Sequence, residues 1–131
     1  QSNDNPVYYI QYAHARVCSV FRQLDEKNMQ YDEAKGLENI SLLTEPHEQS
    51  LITKLGRYVE MIQNAATHYE PHQIAYYLRE LANEFHSYYN AHQFIIDNEK
   101  IRQARFALIS ATQQVIANGL KILGVSAPDK M

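Results

Sequence analysis

Apolar residues recur in steps of three and four through four long segments of the chain, and no segment alternates as a strand would. The first follows Asn5-Pro6, a good N-cap residue with proline at the first helical position. It steps through Ile10, Ala13, Val17, Phe21 and Leu24 and ends near Asp25. The second begins near Pro46 or Glu48 and repeats as Leu51, Leu55, Tyr58, Ile62 and Ala65. It stops before Glu70-Pro71, because a residue preceding proline is pushed out of the helical region. The third restarts at Pro71 and runs through Ile74, Leu78, Leu81, Phe85 and Tyr88 to His92. The fourth spans about Asn98 to Leu123, with Gly119 as a tolerated interruption and Gly124 as the C-terminal cap. The polar stretch at 25–40 predicts a loop or a short helix and is the candidate mobile segment. With no internal repeat, the pattern predicts an all-α fold, a helical bundle of four main helices.

A chain of 131 residues, 45% apolar and 21% charged, fits a single domain with a real core. Residues 1–4 read as a cloning remnant or linker and 5–131 as the domain. No apolar run approaches the roughly 20 residues that span a bilayer, so no membrane partner is expected. The single cysteine, Cys18, rules out an internal disulfide and fits a reducing compartment. A formal net charge of -3 argues against a protein held to nucleic acid mainly by phosphate charge, and DNA is not expected as a partner. Any RNA contact must come from a local patch.

The unusual feature of the composition is ten tyrosines and no tryptophan. On the first helix Tyr9, Tyr12 and Arg16 line up roughly 100° around the axis from the apolar face. Tyrosine rings that stack, beside an arginine that stacks or forks onto phosphate, are what proteins use to hold unpaired bases. The alternative is that the stripe packs on a neighbouring helix, and aromatic stripes at helical spacing more often do that.

Two stretches at opposite ends of the chain go further. "NPVYYIQYAHARVCS" resembles the start of the anticodon-binding domain of arginyl-tRNA synthetases, and "ARFALIS…VIANGLKILGVSAPDKM" is similar to the end of the same enzymes, with "IAYYLRELANEFHSYYN" between. The resemblance implies an all-helical anticodon-binding domain of the class Ia synthetase type, DALR-type, although this chain does not spell that tetrapeptide. It implies that Tyr9, Tyr12 and Arg16 lie at the anticodon-binding surface. Tyr89, with Tyr88 beside it as the alternative ring, and a chain-terminal methionine, Met131, are expected near the central cytosine. A thioether can cover a base face, and an α-carboxylate beside it can accept from an exocyclic amine. The partners implied are the anticodon loop of arginine tRNA and a catalytic domain of the same polypeptide. ATP and Mg belong to that parent ligase, which is cytoplasmic. The HIGH-type and KMSKS-type ATP-binding motifs are missing from this sequence, so no catalytic residue and no cofactor is expected within the chain.

Other constellations carry less. Six histidines invite a metal, but Glu70-Pro71 separates His68 from His72 and "HEQSL" lacks a second histidine, so no metal site is expected. His14 reads as a hydrogen-bonded structural histidine and Cys18 as a buried thiol. Arg79, Lys100, Arg102, Arg105 and Lys121 read as a solvated face paired with Glu80, Glu84 and Glu99. Arg105, within "ARFAL", is the preferred phosphate contact among them. The rival to RNA binding is a protein-interaction bundle whose tyrosine stripe docks a partner helix.

Overall fold

The computed structural model describes residues 5–131, so the reading of residues 1–4 as a remnant or linker lies outside it. The helices are α1 (Pro6–Glu26), α2 (Glu33–Glu38), α3 (Pro46–Gly56), α4 (Tyr58–Thr67), α5 (His72–Ala91) and α6 (Glu99–Ile122), with one 3₁₀ turn at Ile40–Leu42. No strand occurs among the described residues. The long helices α1, α5 and α6 all pack on one another, α3 closes the bundle against α5 and α6, and α2 lies on α6.

Local chemistry sets the helix starts. The Asn5 side chain accepts from the Val7 and Tyr8 amides at 2.9 and 3.4 Å while Pro6 needs no partner, and Asn98 accepts from the Ile101 amide at 3.1 Å. The apolar steps read from the sequence then meet in one core, where Ile10, Val17, Leu78, Leu81, Phe85, Ile109 and Ile116 are sealed from solvent.

The second helix of the sequence reading is two. It breaks at Arg57, between Gly56 and Tyr58. The Lys54 carbonyl, which would accept from Tyr58 in a continuous helix, instead takes the Tyr77 hydroxyl at 2.6 Å and the Arg57 amide at 3.2 Å. The turn frees Tyr58 to reach Asn118 on α6 and keeps Met61, Ile62 and Ala65 on the core. Periodicity continues across the break, which hid it.

Gly119 is more than tolerated: a Cβ there would meet the Leu78 side chain at 2.7 Å, so α5 and α6 approach through it. Gly124 ends α6 with φ 75°, and the amides of Gly124 and Val125 return to the carbonyls of Lys121 and Leu120, which is the Schellman closure. That reversal sends the tail, Val125 to Met131, along α1.

The buried centre of the bundle is an ion pair. Glu48, 1% exposed, accepts from the Glu45 amide on Oε1 and from the Tyr88 hydroxyl and Arg105 Nε, both at 2.7 Å, on Oε2. Arg105 also donates to the Gln93 carbonyl at 2.7 Å. Burial, and next the Glu48 carboxylate, push the Tyr88 hydroxyl pKa far up, so it remains a donor.

Candidate nucleic-acid interface

The cleft is built by α1, the end of α5 and the tail. Positions 12, 15, 16, 19 and 22 recur on one side of α1 at helical spacing, and they face Tyr89 from α5. The tail closes the third side. Gln11 donates to the Ser126 carbonyl at 2.9 Å, His14 Nδ1 lies 2.9 Å from the Pro128 carbonyl, and Arg22 donates to the Asp129 carbonyl at 3.2 Å. The last residues are thereby laid against α1, with Lys130 and Met131 at the opening. The resulting cleft is about 380 Å³ and is lined by Tyr12, Ala15, Arg16, Ser19, Arg22, Tyr89, Lys130 and Met131.

Inside it the Arg16 guanidinium is held between two rings, 4.6 Å from the Tyr12 centroid and 4.2 Å from that of Tyr89. Its Nη1 lies 3.0 Å from Nδ1 of buried His86. Tyr12 in turn stacks on His86 at 5.4 Å and on Tyr8 at 6.3 Å. Met131, 50% exposed, stands at the rim. Arg16, Arg22 and Lys130 make the opening positive on a chain whose formal net charge is -3. An aromatic wall, a fixed guanidinium and a flexible thioether around one small opening are suited to a flat, hydrogen-bonding ligand with negative charge nearby.

Of the six residues singled out in the sequence, Tyr12, Arg16, Tyr89 and Met131 come together here. The neighbouring rings separate cleanly. Tyr89 is half-buried on the cleft wall, whereas Tyr88 is fully buried against Glu48. Tyr9 does not reach the cleft. Its hydroxyl donates to Asn83 at 3.2 Å, its ring packs on His86 at 4.6 Å, and it lines a separate opening with Tyr76, Arg79 and Asn83. Arg105 is not brought there either: its Nε donates to Glu48, its Nη1 to the Gln93 carbonyl, and its side chain is only 12% exposed. Lys130 and His86 were missed, and Arg22 was not assigned. Arg22 lies at the edge of the same side of α1, about 120° around the axis from Arg16, while Lys130 and His86 arrive through tertiary packing.

His14 is a hydrogen-bonded structural histidine, and Cys18 is half-buried beside it. His14, Cys18 and Asp129 place three potential ligand atoms within 4.8 Å of one another. The Pro128 carbonyl takes the proton on His14 Nδ1, and Gln113 donates to Cys18 Sγ at 2.9 Å, so the cluster acts as a clasp for the tail. Burial, and next the Asp129 carboxylate, raise the Cys18 thiol pKa above its usual value. Among the described residues no helix is long and apolar enough to cross a membrane.

Bundle and cleft together define an all-helical module with an aromatic, arginine-bearing cleft. The chain belongs to the DALR anticodon binding domain family, whose model matches residues 10–131. Over all 131 residues it is 63% identical to the arginine–tRNA ligase of Thioalkalivibrio sulfidiphilus and 58% identical to that of Coxiella burnetii, and it spans 22% of the length of each. Among solved structures, Thermus thermophilus arginyl-tRNA synthetase superposes with a TM-score of 0.83 at 32% identity, over 99% of this chain and 22% of that one. A putative arginyl-tRNA synthetase of Campylobacter jejuni superposes at 0.78 and 23% identity, over 97% and 27%, and supports the fold.

Proposed function

We propose that the cleft holds an unpaired base of the anticodon loop of arginine tRNA, with the central cytosine as the base read. The observation that carries this is the guanidinium of Arg16 fixed between Tyr12 and Tyr89 in the same small cleft as Met131. Tyr12 and Tyr89 supply the ring faces, Met131 covers the base, and the free donors of Arg16 face the cytosine N3 and O2 acceptors. Arg22 and Lys130 take the flanking phosphates. Each stacked base contributes on the order of 1 to 3 kcal/mol, which outweighs a mild net negative charge. Tyr9 acts from the adjoining opening, and Arg105 serves the fold and makes no RNA contact.

The parent polypeptide on this reading is a cytoplasmic arginine–tRNA ligase that uses ATP and Mg in a catalytic domain of its own. The present domain adds binding energy and selectivity to a reaction done elsewhere. Titration with an anticodon stem-loop of arginine tRNA, and with the same hairpin carrying a central uracil, tests the reading. The central-cytosine hairpin is expected to bind at least about tenfold tighter, about 1.4 kcal/mol. Equal affinities would remove the base reading, and binding of neither hairpin would favour a protein-docking surface.

A further inference from the structure

Stacking fixes the plane of a guanidinium and leaves its rotation within that plane nearly free, because ring faces attract it in every orientation. Arg16 lies over two rings and therefore needs a directional partner before its donors can be aimed. The structure supplies one. Nδ1 of His86 is 3.0 Å from Arg16 Nη1. A guanidinium has no acceptor, so Nδ1 accepts and the imidazole proton sits on Nε2, which points to the Tyr9 carbonyl at 3.4 Å.

His86 itself is held on every side. It is 5% exposed, with the rings of Tyr9, Tyr12 and Phe85 at 4.6, 5.4 and 5.8 Å. Burial, partly opposed by the Tyr9 carbonyl and reinforced by the positive Arg16, lowers its pKa to about 4. The imidazole is thus neutral at physiological pH and keeps its acceptor turned to Arg16.

We infer that His86 is the positioning residue of the cleft: by accepting one Nη1 hydrogen it fixes the rotation of Arg16 and turns the remaining donors toward the ligand. The consequence rests on the base reading proposed above. Cytosine offers two adjacent acceptors, N3 and O2, to a fork so aimed, whereas uracil presents an N3–H donor in the same place. The preference for cytosine therefore depends on a buried residue that need not touch the base.

Two readouts separate this inference from the base reading. In RNA-free protein, ¹⁵N NMR at low temperature is expected to show slowly exchanging, distinct Arg16 Nη signals that average in His86→Leu and return in His86→Asn, whose amide oxygen takes the place of Nδ1. In hairpin titrations His86→Leu is expected to lower the cytosine-over-uracil ratio about tenfold, the scale of one good bidentate pair. His86→Asn should recover most of the ratio. A folded His86→Leu that keeps distinct Arg16 signals or the full ratio overturns the inference. A wild-type spectrum with fully averaged Arg16 Nη protons overturns it without any variant. A wild type with no base preference would remove the proposed function, and the Arg16 signals would then decide the positioning alone.

Discussion

On the proposed base reading, two tyrosines on neighbouring helices have opposite tasks, and replacing each separates binding from stability. Tyr88 is sealed from solvent and donates at 2.7 Å to the buried carboxylate of Glu48. In Tyr88→Phe that carboxylate oxygen loses one of its two donors, and a hydrogen bond to a charged group contributes about 1.5 to 3 kcal/mol. At about 4 °C per kcal/mol for a domain of this size, the melting temperature should fall by about 6 to 12 °C. Tyr12 is half-buried and touches Tyr8, His86 and Arg16 at the cleft. Its cation–π contact contributes about 0.5 to 1 kcal/mol at such a site, and its two ring contacts about 0.5 kcal/mol each. Tyr12→Ala should therefore melt within about 8 °C of the parent. Its loss of base stacking, about 1 to 3 kcal/mol, should raise the Kd for the cytosine hairpin by a factor of about 5 to 150. Differential scanning fluorimetry and fluorescence anisotropy on the same preparations read both quantities. The reasoning is refuted if Tyr12→Ala melts as early as Tyr88→Phe while binding normally, since Tyr12 would then be a packing residue.

Arg105→Ala leaves Glu48 buried with its charge unpaired, so stability should fall by about 3 to 5 kcal/mol in urea titrations while hairpin affinity measured on the folded fraction stays unchanged. Acidification should expose His86. Its folded pKa of about 4 lies below its ordinary value of about 6.5, so between those pH values the unfolded chain binds a proton that the folded chain does not. The contribution of His86 is fully present above pH 6.5 and falls by about 3 kcal/mol as the pH drops to about 4, a slope that His86→Leu should lack in urea titrations run at each pH. The raised pKa of Cys18 should make it slow toward thiol reagents at neutral pH, and Asp129→Asn should speed the reaction by removing a raising charge.

The four-segment pattern was legible because a helix that buries one side repeats every three to four residues, and Ile10, Leu51, Leu78 and Leu108 occupy the core positions that such spacing implies. The break at Arg57 was not, since it depends on a tyrosine twenty residues further on capturing the Lys54 carbonyl. Arg105 looked like a surface cation because its acid, Glu48, lies 57 positions away, and only packing joins them. The tail carries no period at all. Its docking on His14, Cys18 and Arg22 is what brings Met131 to Tyr12 and Arg16, and the resemblance of the chain's two ends was the only sign of it in the sequence.

The chain has three methionines, which makes the cleft directly observable. Met131 stands at its rim, Met61 lines a separate groove between α4 and α5, and Met29 packs against the core. With ¹³C-methyl methionine, addition of the cytosine hairpin should move the Met131 methyl upfield by the ring current of the bound base and leave Met29 and Met61 in place. A Met131 signal that stays fixed at saturating hairpin, or a shift confined to Met29 or Met61, would contradict base binding in this cleft.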